Sequence, residues 1–432
     1  MSRLIFLIFL IYNVCAAVED LNFDLYKKES KQKGDTLLVI GGIHGDEPGG
    51  YFASSILVSN YKIKKGSLWL VPNLNFESLI RNRRGIHGDM NRKFNFVSKA
   101  DKDYNDIIKI KKIIKNEQID LILNLHDGRG FYRHNWQNSI FNPSAWGQAF
   151  IIDQELLKKE HRYFNLTKLA KKVSENINDE LLEDYHTFNI KNTKTKEKDE
   201  QMQLSLTYFA IKNNKPAFAV ETSKNITNLT QKVKYQLKAI EGFMDIMGIK
   251  YEKDFDLNNL EQLSTILNNF MSVSINDVIK LDLNNIKPNL YYFPLKHTQN
   301  SFDFKHPLGA KIYKNGIYYL KIGNKTVAKL HPQRFDYKNE IKNILIEFDG
   351  EKRKINFSDT IKVKEYFKVK TNNDYRVNVI GFSKDNIINE NNIKITLDKL
   401  EKRFSISKDN KIYKIEVYKD KYFLGMILVE FD

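Results

Sequence analysis

Ile40-Gly41-Gly42-Ile43-His44-Gly45-Asp46-Glu47-Pro48-Gly49-Gly50 follows the apolar run Leu37-Leu38-Val39. Such a run reads as a buried strand, and the glycines after it as a tight turn where backbone approaches a site closely. The turn carries His44 and Glu47. An imidazole and a carboxylate three residues apart, presented at the end of a core strand, can grip one zinc ion from the same side. Catalytic zinc usually takes three protein ligands and keeps a fourth position for water. Pro48 restricts the backbone of Glu47 and suits the first position of a helix. The pattern alone arises by chance in many proteins, so its weight depends on the rest of the chain.

A third ligand stands in Ile122-Leu123-Asn124-Leu125-His126-Asp127-Gly128, where another apolar strand runs into a glycine turn. Sites in open α/β sheets form outside the carboxyl ends of the strands, so His44, Glu47 and His126 are expected to converge. If they do, the chain reads as a zinc hydrolase. Ala217-Phe218-Ala219-Val220-Glu221-Thr222 puts a carboxylate at the end of a further buried strand, where a charge is costly without a task or a partner. Glu221 is suited to take a proton from an attacking water and return it to a leaving amine. A salt bridge to a nearby lysine is the structural alternative.

Between these strands lies Arg81-Asn82-Arg83-Arg84-Gly85-Ile86-His87-Gly88-Asp89-Met90-Asn91-Arg92. Arginines beside glycine turns can hold carboxylates bidentately. Asn91 and Arg92 together can clamp one terminal carboxylate, and Arg84 can polarise a carbonyl and stabilise a developing oxyanion. A basic surface loop is the plainer explanation of the block.

From residue 35 to about 250, short apolar runs (Leu37–Ile43, Leu68–Val71, Ile119–Leu125, Ala149–Asp153, Ala217–Glu221) alternate with helical patterns (Tyr51–Ser59, Asp106–Lys115, Leu166–Leu182, Gln231–Met247). This order predicts an α/β catalytic domain with a mixed sheet between helices. The basic amphipathic stretch Ile107–Lys115 reads as a helix packed on that sheet with its lysines in water. After residue 250, helical text persists through Leu257–Asn269 and Asn276–Leu281. Alternating runs then predict strands, among them Leu290–Phe293, Ile317–Leu320, Ile344–Phe348, Ile393–Leu397, Ile412–Val417 and Tyr422–Phe431. Asn315-Gly316, Gly323-Asn324 and Asp349-Gly350 mark turns between them. The expected organisation is a leader over 1–17, a catalytic domain over 18–250, a small β-rich domain over 251–335 and a β-sandwich over 336–432.

The 432-residue chain carries a formal charge of +16, with lysines scattered among Asn and Glu. No dense basic block is present, so the charge reads as a solvated surface biased toward anionic surroundings. Arg3, the apolar run Leu4–Ile11 and Val14-Cys15-Ala16-Ala17 have the layout of a cleaved signal peptide. Cleavage after Ala16 or Ala17 removes Cys15, the only cysteine, and leaves no thiol for a disulfide. A lipid anchor on Cys15 is the rival explanation. No later segment is long and apolar enough to span a membrane as a helix. Export makes nucleic acid an improbable partner.

His44-x-x-Glu47, Arg84 with Asp89-Met90-Asn91-Arg92, His126 and Glu221, in this order, resemble the zinc carboxypeptidase (funnelin) superfamily over about residues 35–250. That resemblance implies a two-histidine, one-glutamate zinc site like that of carboxypeptidase A. It also implies that Asn91 and Arg92 hold a substrate's terminal carboxylate, that Arg84 polarises the scissile carbonyl and that Glu221 is the base. Met90 stands where related sequences more often have leucine. His126-Asp127-Gly128-Arg129-Gly130-Phe131-Tyr132-Arg133, Asn142-Pro143-Ser144-Ala145-Trp146-Gly147 and Ile151-Ile152-Asp153-Gln154 are similar to the periplasmic peptidoglycan DL-carboxypeptidases that set helical cell shape in epsilonproteobacteria. This closer likeness implies two C-terminal β domains, the last immunoglobulin-like. It implies a muropeptide tripeptide as substrate, trimmed to a dipeptide by removal of meso-diaminopimelate from the γ-carboxyl of D-glutamate. It places Trp146 and Thr207 in the substrate site. One cell-shape member has glutamine where His44 stands; this chain has the ordinary histidine. Arg129 and Arg133 are further candidates for the remaining polar groups of the substrate.

Two other functions compete. Aspartoacylase and succinylglutamate desuccinylase share the His-x-x-Glu, the arginine five before Asp-x-Asn-Arg and the late histidine. They are normally cytoplasmic, which conflicts with the leader and the trailing β domains. A wall-binding protein with a vestigial metal site conflicts with the retention of all three ligands, the base and both arginines.

Overall fold

Five consecutive buried residues, Thr36–Ile40, form β2, a strand covered on both faces. The computed structural model describes residues 21–432, so the leader over 1–17 and Cys15 lie outside the described residues. Around β2 is a seven-stranded sheet with β1 (Tyr26–Glu29), β3 (Ser67–Val71), β4 (Leu121–Gly128), β5 (Ala149–Ile152), β6 (Asn189–Asn192) and β7 (Ala217–Ser223). The spatial order is β1-β3-β2-β4-β7-β5-β6. The four central strands β3, β2, β4 and β7 are parallel. β1 runs against β3, and β5 runs against β7 while pairing in parallel with β6. The sheet is therefore mixed. All eight residues of β4 and all seven of β7 are buried, as parallel strands covered by helices require.

The helices are α1 (Pro48–Asn60), α2 (Tyr104–Ile114), α3 (Leu166–Asn178), α4 (Leu206–Lys212) and α5 (Leu229–Met247). α5 packs on α1, α3 and β7, while α4 packs on β4 and β7. α2 buries Ile107, Ile110 and Ile114 and keeps its lysines at the surface, as its spacing predicts. The chain leaves β2 toward β3, then returns past β2 to β4. The order thus reverses between β2 and β4, and a crevice opens outside their carboxyl ends.

Beyond residue 250 the structure is mostly β. A helix over Leu260–Leu267 is followed by a three-stranded and a four-stranded sheet. Their apolar side chains share one core with the α/β region, running from Phe23 to residues such as Leu320 and Leu330. The last part has a three-stranded and a four-stranded sheet around a separate core that includes Ile346, Val369, Ile415 and Ile427. The three predicted turns are two-residue hairpin loops. At Asp349-Gly350 the φ angles are 48° and 87°, and Phe348 pairs with Glu351 on either side.

Two expectations fail. Asn276–Leu281 is not helical: Ser272–Ile275 and Ile279–Asp282 form an antiparallel hairpin. Val273, Ile275, Ile279 and Leu281 are the buried set, a period of two on each side of a turn in which Asn276 and Asp277 have positive φ. Ile393–Leu397 is not a strand: Ile395 makes a single bridge to Phe367, and the chain then turns into a 3-10 helix at Leu397–Lys399.

The turn bearing His44 lies against the short helix Phe76–Ile80. A Cβ on Gly45 would stand 2.2 Å from the Ser78 carbonyl carbon and oxygen, both backbone atoms that cannot swing aside. Gly45→Ala is therefore expected to lower stability by about 1–3 kcal/mol through overpacking. Thermal unfolding of the metal-free protein checks this; an unchanged midpoint would contradict the packing described.

Candidate active site

Glu47 stands at the N-cap of α1, directly after the glycine turn that ends β2. Its carboxylate lies between two imidazoles: Oε1 is 3.0 Å from His44 Nδ1, and Oε2 is 2.8 Å from His126 Nδ1. All three side chains are buried, and their donor atoms lie within 4.8 Å of one another. Each histidine is also held from behind. His44 Nε2 is 2.9 Å from Asp89 Oδ1, and His126 Nε2 is 2.9 Å from the side-chain amide of Asn124. A carboxylate behind a ligating imidazole fixes its tautomer and raises its basicity. The Asn124 amide oxygen is buried and has no partner. With Nδ1 of His126 given to a metal, Nε2 keeps the proton, and that oxygen becomes its acceptor once the amide turns over. Two Nδ1 atoms and a carboxylate, each supported in this way, fit zinc.

The metal-facing strand ends are tied together beneath the surface. Asp127 Oδ2 accepts from the Gly49 amide at 3.1 Å and lies 3.4 Å from the buried Lys232 Nζ. Thr222 Oγ1 donates to Asp127 Oδ1 at 2.5 Å. A Cβ on Gly49 would meet that Oδ1 at 2.4 Å, so the start of α1 approaches β4 only because residue 49 is glycine. Gln236 of α5 donates to the carbonyls of His126 at 2.8 Å and Val220 at 3.2 Å, joining β4 to β7.

The register of β7 on β4 sets Glu221 directly beside His126. Glu221 is buried and makes no ion pair among the described residues, so the salt-bridge alternative does not hold. Burial pushes its pKa well above the ordinary carboxylate value, and the neighbouring Glu47 charge adds to the rise. A carboxylate perturbed by burial and a neighbouring charge inside a cleft is one mark of a functional site.

The arginine block wraps the opposite side. Arg84 Nη1 is 3.1 Å from Glu47 Oε1, and its Nη2 is 3.0 Å from Asp89 Oδ2. Asp89 Oδ1 accepts from the Asn91 amide at 2.9 Å and so caps the 3-10 turn Met90–Arg92. Asn91 Oδ1 accepts from the Leu206 amide at 2.9 Å, which docks this turn on the start of α4. Lys93 locks the block from below, donating to the His87 carbonyl and pairing with Asp101 and Asp103.

His44, Glu47, Arg84, Asn91, Arg92, His126, Trp146, Thr207 and Glu221 all line one cavity of about 420 Å³. The metal-ligand, base, arginine-block, Trp146 and Thr207 candidates named from sequence are thus brought together. Trp146 forms part of one wall, with Lys191 Nζ 4.3 Å from its ring centre. Thr207 sits above the buried Asp153, whose carboxyl burial raises to about 6. Arg129 lines the cavity, but Arg133 does not. The Arg133 guanidinium is spent on the carbonyls of Tyr132 at 2.8 Å and Tyr185 at 2.5 Å, a structural clamp. Sequence reasoning gave no role to Asp89, Asn124 or Lys224. Lys224 lines the cavity and pairs with Asp46 at 2.8 Å. Asn124 was open to inference, since in a strand it shares a face with His126 two residues on.

A family model described as "Carboxypeptidase controlling helical cell shape catalytic" matches residues 1–268. The chain belongs to this family. A second model, the C-terminal domain of metallo-carboxypeptidase, matches residues 337–432. Among solved structures, apo cell shape determinant protein Csd4 from Helicobacter pylori matches with a TM-score of 0.91 at 35% identity, covering 95% of this chain and 100% of that one. The mDAP-bound form of Csd4, described as a D,L-carboxypeptidase, matches with a TM-score of 0.90 at 36% identity, covering 94% and 100%. The tripeptide-bound form matches with a TM-score of 0.90 at 35% identity, covering 95% and 100%. No curated protein matches the chain. Membership in this family makes the protein a metallo-carboxypeptidase, and zinc is the metal its His-Glu-His cluster fits.

His126→Ala removes one of the three donors. Zinc content after dialysis, measured by mass spectrometry of the metal, is expected to fall from about one ion per chain to near none. Full retention by the variant would refute the ligand set.

Proposed function

We propose that this protein is a zinc-dependent D,L-carboxypeptidase of the periplasm. It trims muropeptide tripeptides to dipeptides by releasing meso-diaminopimelate from the γ-carboxyl of D-glutamate, and so influences cell shape. The observation that carries this reading is the single cavity that joins the His44–Glu47–His126 cluster to Glu221 and to the Arg84–Arg92 block. Near-complete coverage of Csd4, solved with tripeptide and with mDAP bound, supports the substrate class.

Zinc held by His44, Glu47 and His126 supplies a Lewis acid and lowers the pKa of water. The chain's own residues do the rest. Asn91 and Arg92 hold the terminal carboxylate of diaminopimelate, which sets the scissile amide over the metal cluster. Arg84 faces the carbonyl oxygen and stabilises the negative charge that develops there. Glu221 takes a proton from the attacking water and delivers it to the departing amine; its raised pKa suits both halves of that task. Trp146 and Thr207 wall the substrate in. The amide is cleaved by water alone, giving a free dipeptide carboxylate and free diaminopimelate.

The leader over 1–17, the catalytic domain over 18–250, the β-rich domain over 251–335 and an immunoglobulin-like sandwich over 336–432 belong to the same proposal. The separate apolar core after residue 340 supports the last boundary. Among the described residues no helix is long and apolar enough to cross a membrane. A chain of formal charge +16 would be drawn weakly, and in a salt-sensitive way, to an anionic sacculus.

Incubation of the zinc-loaded protein with purified muropeptides, followed by mass, tests this reading. Tripeptides are expected to lose one diaminopimelate residue. Glu221→Ala is expected to bind zinc normally and to lower kcat by about 10²–10⁴-fold. Tripeptides left intact by the wild-type protein, or equal turnover by Glu221→Ala, would contradict it.

A further inference from the structure

The four-stranded sheet after residue 288 has one irregularity. In the parallel pairing of Asn289–Lys296 with Lys325–Phe335, Leu290 faces Leu330 and Phe293 faces Pro332. Tyr291 and Tyr292 therefore stand together opposite the single residue His331. Such a bulge re-aims side chains, and bulges recur beside functional sites. Here it turns two tyrosines outward: Tyr291 is 60% and Tyr292 71% exposed. Tyr292 has a φ of 51°, a left-handed conformation that a bulky residue adopts only under strain. The fold thus maintains an unfavourable backbone in order to hold large aromatic rings in solvent. Tyr291 is stacked on His331 at 4.4 Å between ring centres, which fixes its ring as a platform.

These tyrosines rim a cavity of about 850 Å³ between this sheet and the last β region. Its other lining mixes apolar side chains such as Leu290, Phe335 and Ile406 with directional polar ones. Arg403 and the Asn378 side-chain NH2 offer hydrogen-bond groups, while Arg376 donates to Asn378 Oδ1 at 2.5 Å and its guanidinium lies 4.4 Å over the Tyr418 ring. On the floor, Glu416 is buried beside Lys414 at 2.8 Å and accepts from the Tyr418 hydroxyl at 2.6 Å. An aromatic platform with a few convergent polar groups is the usual make-up of a ligand site. Flat faces of C–H bonds suit the rings, while hydroxyls and acetamido groups suit Asn and Arg.

We propose that this cleft binds the N-acetylhexosamine glycan of peptidoglycan, and so holds the enzyme on the polymer that carries its peptide substrate. The inference rests on the proposed function for the identity of that polymer. The cleft is joined to the active site through one sheet. The strand that flanks the bulge begins at Lys325, and the turn before it places Asn324 3.2 Å from Asn82, at the start of the arginine block.

The test uses the full-length zinc-loaded protein and two probes: the free tripeptide, and peptide-free glycan strands coupled to beads, which offer glycan without substrate. Tyr291→Ala/Tyr292→Ala and, separately, the surface substitution Arg403→Gln are compared with wild type. Wild type is expected to co-sediment with the glycan beads, and a soluble chitin tetrasaccharide to compete it off. Both variants should bind the beads at least about tenfold more weakly, the loss of good aromatic or charged contacts. Their kcat/KM on free tripeptide should stay at the wild-type value. Wild type that stays in solution, sedimentation unchanged in either variant, or a chitin tetrasaccharide that fails to compete overturns the proposal. Because the beads hold nothing to hydrolyse, glycan binding is read independently, and absence of tripeptide hydrolysis would refute the proposed activity without touching this result.

Discussion

The Glu47 carboxylate, held between His44 Nδ1 and His126 Nδ1, is the contact on which the site depends. Glu47 is buried, and a buried carboxylate is costly unless positive or donating groups surround it. Here they come from two imidazoles, Arg84 and the Asp127 amide, all converging on two oxygens. That convergence is possible only where β2 and β4 lie side by side while the chain diverges from them in opposite directions. The reversal of strand order creates the crevice, the glycine turn lets backbone enter it, and the start of α1 places the carboxylate. A metal ion satisfies the same geometry with a stronger positive charge.

Around that contact the structure spends many buried polar groups on orientation. Asp89 serves three neighbours at once: it supports His44, pairs with Arg84 and caps the turn that carries Asn91 and Arg92. His44, Arg84 and the turn that carries Asn91 and Arg92 are thus coupled through one side chain. On the other flank, Asp127, Thr222, Lys232 and Gln236 bind the strand ends into one unit. Buried networks of this kind hold side chains in fixed geometry, which catalysis by positioning requires.

Much of this was legible in the sequence because the chemistry sits at strand ends. Runs such as Leu37–Val39 and Ala217–Val220 are apolar on both faces, so they declare central parallel strands, and the residue that ends each run is exposed to inspection. His44, Glu47, His126 and Glu221 were found that way. The short edge strands Tyr26–Glu29 and Asn189–Asn192 were missed, since they carry mixed polar text and owe their conformation to a neighbour. The seven-residue α4 escaped for a similar reason: its helix is set by the Ser205 cap and by packing on β4 and β7. Asp89 was missed as a support because its contact with His44 spans 45 residues and is defined by the fold, whereas Asn124, two residues from His126 on one strand face, was within reach of spacing. Asn276–Leu281 misled because its apolar residues fit a helical period over six residues, whereas the buried set is alternate once Val273 and Ile275 are included.

Diffraction from crystals of the zinc-loaded protein, collected on both sides of the zinc absorption edge, tests the central claim most directly. The account predicts one anomalous peak about 2.0–2.2 Å from the Nδ1 atoms of His44 and His126 and from a Glu47 oxygen. It predicts Asp89 and the Asn124 amide oxygen on the two Nε2 atoms. A peak elsewhere, or ligation through either Nε2, would contradict it.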